Sequence, residues 1–190
     1  EITEGEIILK GKKINITSPA VALKNSIALL PEDRKQQGVI MGMCIEHNIS
    51  FAILYRLSRF AVIKKRQEKD ICNKLVADLS IKISSLLQPV MNLSGGNQQK
   101  VVLAKCLATE CNVLFIDEPT RGIDVGAKQE IYIIMRQLAD NGTSIIMVSS
   151  EMSELIGMSD RIIVMKEGQV VKELMPEEYS QELILNYAAL

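Results

Sequence analysis

The sequence lacks a phosphate-binding loop. No stretch of its 190 residues matches G-x-x-x-x-G-K-[ST], the pattern in which backbone N–H groups and a lysine cradle phosphates. The nearest imitation runs from Gly5 to Gly11, Lys12 and Lys13, but it has five residues between its glycines. Lys13 also stands where Mg²⁺ would require a hydroxyl. We therefore interpret this segment as unrelated to phosphate binding.

Excess charge, long apolar runs and targeting segments are also lacking. The 22 basic and 23 acidic side chains give a net charge of −1, which predicts neither nucleic-acid binding nor a polybasic patch for anionic lipid. The longest apolar stretch, residues 39–54, is interrupted by Glu46, His47 and Asn48, whereas a membrane-spanning helix needs ~20 apolar residues. The sequence therefore predicts a soluble chain. It shows neither a secretion signal nor an initiator methionine, so we expect it to begin inside a longer protein.

Few residues suit disulfide or metal chemistry. The four cysteines, which show no C-x-x-C spacing, are Cys44, Cys72, Cys106 and Cys111. This pattern predicts reduced thiols that serve as small buried apolar residues in a cytosolic protein. For the single histidine, His47, we expect no second ligand nearby and a structural or surface role.

The first half of the chain predicts a hairpin, a helix, a buried strand, a polar loop and a helical region. In chain order they cover residues 6–16, 18–24, 26–30, 32–38 and 44–79. Ser18 and Pro19 form a typical N-cap and first-turn pair. Within the helical region, which predicts two or three helices, one apolar face carries Ile71, Leu75, Val76 and Leu79.

In the second half, helices and strands alternate with short connections. The predicted helices cover residues 94–108, 125–140, 151–157 and 176–189, and the predicted strands cover residues 112–116, 144–148, 161–165 and 169–172. Such alternation is typical of a largely parallel sheet covered by helices. The predicted fold class is therefore α/β with a helical insertion, and we expect the terminal helix to pack on the domain's own flank.

Two adjacent carboxylates, Asp117 and Glu118, follow the apolar run of residues 113–116. In an open parallel sheet, ligands bind beyond the carboxyl ends of the strands. One carboxylate can hold Mg²⁺ through its water shell, and the next can orient an attacking water. We assign the metal role to Asp117 and the base role to Glu118.

Ser94, Gly95 and Gly96 stand at the predicted start of a helix, where unpaired N–H groups and the positive end of the helix dipole attract anions. The hydroxyl adds a donor, and the glycines let the backbone approach a ligand closely. Alone, this triplet is usually only a helix cap. Leu93 before it and Asn97 after it make the pattern more specific.

Together these segments resemble the nucleotide-binding domains of ABC transporters. The signature motif of that family matches Leu93-Ser94-Gly95-Gly96-Asn97-Gln98-Gln99. Its Walker B strand with the catalytic glutamate matches residues 113–118, and its D-loop matches residues 119–124, which end in Asp124. The resemblance covers essentially the whole chain. It implies a P-loop NTPase-like α/β fold, mainly a parallel sheet with a helical insertion, and the cofactors ATP and Mg²⁺.

A closer likeness is to the bacterial sugar-importer ATPases of the ribose, galactose and xylose type, which carry two such domains in one polypeptide. Residues 30–34, 92–103 and 118–128 look like the second, C-terminal domain. The resemblance implies a piece of that domain truncated after the Walker A loop, with its N-terminal portion missing. It divides the chain into a helical subdomain at about 44–92, a signature, Walker B and core-sheet part at 93–172, and a C-terminal helix at 173–190.

Two positions depart from most of the family. Glu32 stands where a glutamine usually senses Mg²⁺ and couples to the membrane subunit, and Ser150 stands where a histidine usually lies near the γ-phosphate. A serine can donate a hydrogen bond but carries no charge, so stabilisation of the transferred phosphoryl group should be weaker. Ser149 and Ser150 also suit a plain strand-to-helix cap.

In this family two domains face each other head to tail, and each ATP lies between the phosphate loop of one and the signature of the other. The residues that the resemblance places at a nucleotide are Leu93, Ser94, Gly95, Gly96, Asn97, Gln98, Asp124 and Glu32. The signature serine and glycines would contact the partner domain's ATP. Asp117 as metal ligand, with Glu118 and Ser150 as catalytic residues, would serve the chain's own absent loop, so the chain alone should not hydrolyse ATP.

The resemblance also implies partners and a location. The partners are the transporter's membrane subunits, an N-terminal ATPase domain of the same protein or a second ATPase chain and, indirectly, a periplasmic sugar-binding protein. The location is the cytoplasm, peripheral on the inner face of the cell membrane. Two alternatives stay open: a soluble ABC-type ATPase of DNA repair or translation, and a non-catalytic interaction module. The absence of long heptad arms and the near-zero net charge count against a nucleic-acid partner.

Overall fold

The computed structural model describes residues 4–60 and 62–189. Strand β1, Ile7–Leu9, pairs antiparallel with β2, Lys12–Ile14. Helix α1, Pro19–Lys24, begins after Ser18, whose hydroxyl accepts a hydrogen bond from a backbone N–H of the first turn at 3.3 Å. Strand β3 spans Ile27–Leu30. The predicted hairpin, helix and strand are therefore confirmed.

The loop predicted over residues 32–38 is wrong in part, because Arg34–Gly38 form a turn of π-helix. The last N–H of this turn donates to the carbonyl of Asp33, five residues earlier, at 3.3 Å. The Asp33 carboxylate caps the turn by accepting the N–H groups of Lys35 and Gln36 at 2.9 and 3.1 Å. An aspartate before polar residues suits a loop and an N-cap equally well, so composition did not separate the two.

Residues 44–79 fold into short helices with a small hairpin between them. Helix α2 spans Ile45–Ser50, a 3₁₀ turn spans Phe51–Ile53, α3 spans Leu54–Leu57, β4 and β5 span Ser58–Arg59 and Val62–Ile63 and pair antiparallel, and α4 spans Lys65–Asp78. The helices were predicted and the hairpin was not, because a short apolar run fits helix and strand alike. The predicted apolar face of α4 does pack on the core.

The second half follows the predicted alternation. After a 3₁₀ turn at Val90–Asn92 come α5, Gly95–Ala108, β6, Val113–Asp117, α6, Val125–Asp140, β7, Ser144–Val148, α7, Met152–Met158, β8, Ile162–Lys166, β9, Gln169–Leu174, a 3₁₀ turn at Pro176–Glu178 and α8, Gln181–Ala189. Four predicted helices and four predicted strands are therefore present, with bounds shifted by a few residues at most.

The central sheet has the order β3-β6-β7, and both pairings are parallel. The α/β class with a parallel sheet is therefore confirmed. Strands β8 and β9 form a separate antiparallel hairpin. Because the three central strands run in one direction, the segments that follow Leu30, Asp117 and Val148 emerge at the same edge of the sheet.

The two faces of the central sheet differ in burial. On one face, Ala28, Leu30, Leu114 and Ile116 are at most 5% exposed and pack with residues of α5 in the main core. On the other face, Leu29, Phe115 and Ile146 lie side by side in register and are 60%, 38% and 47% exposed. Within the described residues, this second face is not covered by a helix.

A second, smaller core joins the β8–β9 hairpin to the terminal helix. It consists of Ile162, Val164, Leu174 and Ile184, and Leu183 packs against it. The prediction that the terminal helix packs on the domain's own flank is confirmed. Among the described residues, no helix combines the length and apolar character that crossing a membrane would require.

The four cysteines are free thiols, as predicted. Cys72, Cys106 and Cys111 are buried. Burial raises the pKa of the Cys72 and Cys106 thiols to about 12, which keeps both protonated and unreactive at neutral pH.

Candidate functional site

Glu118 follows the central strand β6 and has a strained backbone. Its φ is 49°, a left-handed conformation that costs a non-glycine residue about 1–3 kcal/mol. Its N–H donates to the carbonyl of Val148 at 2.9 Å. Its carboxylate accepts the backbone N–H of Ser150 at 2.7 Å and the Ser150 hydroxyl at 3.1 Å. These hydrogen bonds oppose the strain and hold the carboxylate against the segment that follows β7.

A pocket of about 410 Å³ lies at this edge of the sheet. Its lining residues are Glu32, Glu118, Arg121, Gly122, Ser150 and Glu151. They come from the segments that follow β3, β6 and β7, which is where parallel strands place ligand-binding residues. Three residues predicted from the sequence to serve nucleotide chemistry are therefore brought together here: Glu32, Glu118 and Ser150.

Asp117, the predicted metal ligand, is the last residue of β6 and is partly buried. It pairs in register with Val148 of β7. Alternation along the strand puts its side chain on the same face as Phe115, which is the exposed face of the sheet. The two adjacent acids thus leave the sheet at one edge, with Glu118 turned towards β7 by its left-handed backbone.

Ser94 is exposed and has the extended backbone of an N-cap residue before α5, yet its side chain makes no capping hydrogen bond. Its hydroxyl oxygen instead accepts the side-chain amide of Asn97 at 3.0 Å. Within the described residues the hydroxyl proton has no acceptor, so it is available to a ligand. The plain helix-cap interpretation therefore does not explain this serine.

Both signature glycines are required by packing inside the chain. A Cβ on Gly95 would lie 3.0 Å from a guanidinium nitrogen of Arg34 and 3.3 Å from the carbonyl of Gly122. A Cβ on Gly96 would lie 2.5 Å from the Cβ of Ala127 in α6, closer than carbon atoms can approach. Close approach to phosphate, the reason inferred from the sequence, is therefore not the only reason for these glycines.

The remaining predicted signature residues make internal contacts. Leu93 is 9% exposed. The Gln98 amide donates to the carbonyl of Leu93 at 3.0 Å, and the Asn97 side-chain oxygen accepts the N–H of Lys82 at 2.9 Å. These contacts hold the first turn of α5 in one conformation. Whether Leu93, Asn97 and Gln98 also contact nucleotide stays a prediction.

Asp124, predicted at the nucleotide, is the N-cap of α6. Its carboxylate accepts the N–H of Ala127 at 2.9 Å. Upstream in the same loop, the carbonyl of Pro119 accepts the buried side-chain amide of Gln99 at 2.8 Å. The loop of residues 119–124 is therefore fixed both to α6 and to the signature helix α5.

Glu32, predicted to replace the metal-sensing glutamine, forms a salt bridge with Arg121. Both side chains remain partly exposed, at 46% and 62% for Glu32 and Arg121, so solvent screens the pair and its stabilising energy is small. Its main effect is geometric, since it ties the segment after β3 to the loop after β6.

Two residues organise the site through contacts that were not predicted from the sequence. Arg34 donates to the carbonyls of Arg121 and Gly122 at 2.7 and 3.0 Å. Lys100 is 2% exposed, and its ammonium lies 2.8 Å from Glu130 of α6. Both contacts join residues far apart in sequence, so no local spacing could indicate them. For Lys100, the available signal was a lysine directly before the apolar run Val101 to Ala104 in the predicted helix.

Glu46, His47 and Glu68 have potential ligand atoms within 4.8 Å of one another, although we expected no second ligand near the histidine. Glu68 is fully buried and accepts hydrogen bonds from Ser50 at 2.7 Å and from Lys65 at 2.8 Å. Burial works to raise the pKa of the Glu68 carboxyl, but these hydrogen bonds outweigh it and lower the pKa. Because an ammonium already balances this carboxylate, the cluster suits a structural role.

Proteins of related sequence are ATP-binding subunits of sugar importers. The chain is 48% identical over 188 residues to a ribose import ATP-binding protein of Oceanobacillus iheyensis, covering 99% of this chain and 38% of the relative. It is 50% identical over 182 residues to a xylose import ATP-binding protein of Thermoanaerobacter pseudethanolicus, covering 96% of this chain and 36% of the relative. The chain thus spans little more than a third of the length of these relatives.

Solved structures with a similar fold are ATP-binding cassettes. The cassette MJ1267 superposes with a TM-score of 0.79 at 19% identity, covering 97% of this chain and 77% of that one. The cassette MJ0796, in a dimer bound to ADP and Pi, gives a TM-score of 0.73 at 20% identity and covers 93% and 75% of the two chains. The family described as ABC transporter matches residues 1–121. The chain therefore belongs to the ABC transporter family.

Proposed function

We propose that this chain is part of a C-terminal nucleotide-binding domain in a sugar-import ATPase, where ATP binding and hydrolysis drive carbohydrate uptake. The observation that carries the proposal is the placement of Asp117 and Glu118 at the end of the central parallel strand, with Glu118 held by Ser150 at the rim of the pocket. Two adjacent carboxylates at this edge suit a Mg²⁺-nucleotide and a water that attacks it.

Three residues have roles in the proposed reaction. Asp117 holds the water shell of Mg²⁺. Glu118 orients the attacking water and accepts its proton. Ser150 holds the Glu118 carboxylate through its backbone N–H and its hydroxyl. Once a nucleotide is bound, the hydroxyl would donate its hydrogen bond to the phosphoryl group instead. With a serine in place of a charged residue there, we expect slower hydrolysis than at a site that carries a histidine.

The signature residues serve a different nucleotide. Ser94 is exposed at the start of the 14-residue helix α5, where N–H groups and the helix dipole favour an anion. Its hydroxyl, with the N–H groups of Gly95 and Gly96, would bind ATP held by a second ATPase domain of the same protein or by another chain. Leu93, Asn97 and Gln98 hold this turn, and Asp124 and Glu32 shape the loops beside it.

Substrate, partners and location follow from the relatives and remain proposals. Ribose and xylose are the sugars in the names of the two relatives, so we propose a pentose or a related sugar as cargo. The membrane partners would be the transporter's membrane subunits, contacted through the helical part at about residues 44–92 and through the loop from Glu32 to Arg34. A periplasmic sugar-binding protein would act indirectly, and the chain would lie in the cytoplasm at the inner face of the membrane.

The proposal is tested with the full-length gene product. We expect Glu118→Gln to reduce ATP turnover by about 100-fold or more, the range for loss of a general base, and Ser94→Arg to reduce turnover through the partner's site. Glu177→Gln and Gln181→Arg, at exposed positions away from the pocket and from residues 44–92, control for the loss or gain of charge. Unchanged turnover in Glu118→Gln would overturn the catalytic assignment.

A second measurement uses the chain as it stands. Because it has no phosphate loop, isothermal titration calorimetry should give a dissociation constant for ATP above about 1 mM, which corresponds to a binding free energy weaker than about −4 kcal/mol. A micromolar constant would mean that the chain contains a complete nucleotide site. Uptake of labelled ribose and xylose by cells with and without the gene then tests the cargo.

A further inference from the structure

We infer that Arg34 is a positioning residue that sets the spacing between the signature turn, residues 94–96, and the loop of residues 119–124. The inference rests on the proposed function, because this spacing matters only if the two segments serve nucleotides on either side of a domain interface. Arg34 belongs to neither motif. It lies in the π-helical turn that follows β3.

The π-helical turn is fixed to the signature helix along one stripe of α5. Gln98, Val102 and Lys105 are spaced by four and three residues and so face the same way. Val102 packs so tightly on the turn that a Cβ on Gly38 would lie 2.8 Å from its methyl carbon. The Lys105 ammonium donates to the carbonyl of Gly38 at 3.0 Å. The turn and α5 therefore move as one unit.

From this base, the Arg34 guanidinium reaches the loop after β6. Its two terminal nitrogens donate to the carbonyls of Arg121 and Gly122 at 2.7 and 3.0 Å, and its Nε lies 3.5 Å from the side-chain oxygen of Gln98. A guanidinium holds its donors in a rigid fork, so two carbonyls and one helix are fixed by a single planar group. A lysine could not reproduce this geometry.

Gly95 provides the space for this contact. A Cβ at Gly95 would lie 3.0 Å from the Arg34 nitrogen that bonds Gly122, and 3.3 Å from the Gly122 carbonyl itself. Gly122 has a φ of +67°, which turns its carbonyl with little strain because glycine tolerates this region. The first signature glycine, the arginine and the loop glycine therefore form one packed unit.

The Glu32–Arg121 salt bridge is a second contact between the segment after β3 and the loop of residues 119–124. Glu32 holds the side chain of Arg121, while Arg34, two residues later, holds its carbonyl oxygen. The segment after β3 therefore contacts Arg121 at two points, its side chain and its carbonyl oxygen. Any displacement of that segment would be passed both to the signature turn, through α5, and to the loop that begins beside Glu118.

The test compares Arg34→Ala, Arg34→Lys and Lys35→Ala in the full-length gene product. Lys35 is exposed in the same turn, and its side chain makes no hydrogen bond within the described residues, so it is the matched control. We expect Arg34→Ala to lower kcat for ATP about tenfold, because charge-assisted hydrogen bonds are lost, with KM changed less than about twofold. We expect Arg34→Lys to recover only part of kcat and Lys35→Ala to equal the unaltered protein.

Local hydrogen exchange separates positioning from general destabilisation. In Arg34→Ala the amides of residues 122–124 should exchange about tenfold faster, whereas amides of β6 should be unchanged. Gly95→Ala should lower the unfolding midpoint less in the Arg34→Ala background than alone, because the steric conflict with the guanidinium is gone. Equal kcat in Arg34→Ala and the unaltered protein, or exchange that rises equally everywhere, would overturn the inference.

The ATP turnover measurements distinguish failure of the proposed function from failure of the inference about Arg34. A full-length product that shows no ATP turnover, or turnover indifferent to Glu118→Gln, would refute the ATPase role. The exchange and double-variant measurements would still decide whether Arg34 fixes the loop.

Discussion

The Glu118 carboxylate accepts two hydrogen bonds from one residue, the backbone N–H of Ser150 at 2.7 Å and its hydroxyl at 3.1 Å. Glu118 follows the central strand and has a left-handed conformation, and Ser150 follows the neighbouring strand. The contact therefore joins two strand ends, and it makes the orientation of one carboxylate depend on the segment after β7. In ligand-free structures such catalytic hydrogen bonds are often long or poorly aligned, whereas both bonds to Glu118 are already formed here.

The first prediction concerns the hydroxyl in this contact. Ser150→Ala removes the 3.1 Å bond and keeps the backbone bond, so the carboxylate should be held less firmly but remain in place. We expect ATP turnover by the full-length protein to fall about tenfold, since a hydrogen bond to a charged group contributes about 1.5–3 kcal/mol and the exposure of this pair favours the lower end of that range.

Steady-state turnover with Thr143→Ala as the control checks this, because Thr143 precedes β7 on the side away from the pocket. A loss as large as that of Glu118→Gln would mean that the hydroxyl contributes mainly through its contact with the phosphoryl group and little through the carboxylate.

The second prediction concerns Lys100, whose ammonium is held between Glu130 at 2.8 Å and the carbonyl of Ser80 at 3.1 Å. The ammonium is buried, whereas the Glu130 side chain is 47% exposed. Lys100→Met keeps the apolar stem but leaves the carbonyl without its donor, so we expect a loss of about 1–3 kcal/mol in the free energy of unfolding.

Glu130→Gln should lower the free energy of unfolding less, by about 1 kcal/mol or less, because the half-exposed side chain at position 130 is solvated as a carboxylate or as an amide. Urea unfolding of both variants measures the difference. Equal losses would show that the salt bridge, rather than the buried carbonyl, dominates.

The third prediction is a pH dependence. The hydrogen bond and charge of Lys100 lower the pKa of the Glu130 carboxyl below its ordinary value of 4.5. A carboxyl with a lowered pKa in the folded protein adds stability above its unfolded pKa and loses it as pH falls through the folded pKa. We therefore expect the free energy of unfolding to decline as pH falls below about 4.5, and to decline less steeply in Glu130→Gln.

Urea unfolding at intervals between pH 3 and 7 checks the slope. Glu173→Gln is the control, because Glu173 pairs with Arg161 on the surface, where both side chains are more than half exposed. Parallel curves for Glu130→Gln and the unaltered chain would contradict the prediction.

Local patterns in the sequence were enough to locate most elements. Alternating apolar runs gave the strands, and Ser18, Pro19 and the residues before α5 marked helix starts, because these signals depend on neighbours along the chain. The pairing of β4 with β5 and the π-helical turn were not predicted. Both are held by local hydrogen bonds that suit several conformations, and packing on the core selects between them.

The candidate site was likewise predicted only in part from the sequence. Glu118, Ser150 and Glu32 were identified because each stands at a recognisable motif position, and the structure brings them to one pocket. The contacts of Arg34 were not predicted, although residues 30–34 form a motif, because its hydrogen-bond partners lie 87 and 88 residues away. Nor could a sequence motif show that Gly95 accommodates a guanidinium, since the steric reason appears only when the segments are assembled.

The last prediction concerns the exposed face of the central sheet. Leu29, Phe115 and Ile146 form an apolar row across three strands, and rows of this kind on soluble domains bind apolar partners or cause association. We expect the 190-residue chain to enhance the fluorescence of an apolar dye and to self-associate. Ile146→Lys should reduce both effects without lowering the free energy of unfolding by more than about 1 kcal/mol, because the side chain is 47% exposed.

The matched control is Ile133→Lys, at a 57% exposed position on α6 away from the sheet face. It adds the same charge and removes the same side chain, so a general gain in solubility would affect both variants equally. Dye fluorescence and sedimentation velocity compare them. If Ile133→Lys suppresses association as strongly as Ile146→Lys, net charge rather than the sheet face controls association, and the row has no special adhesive role.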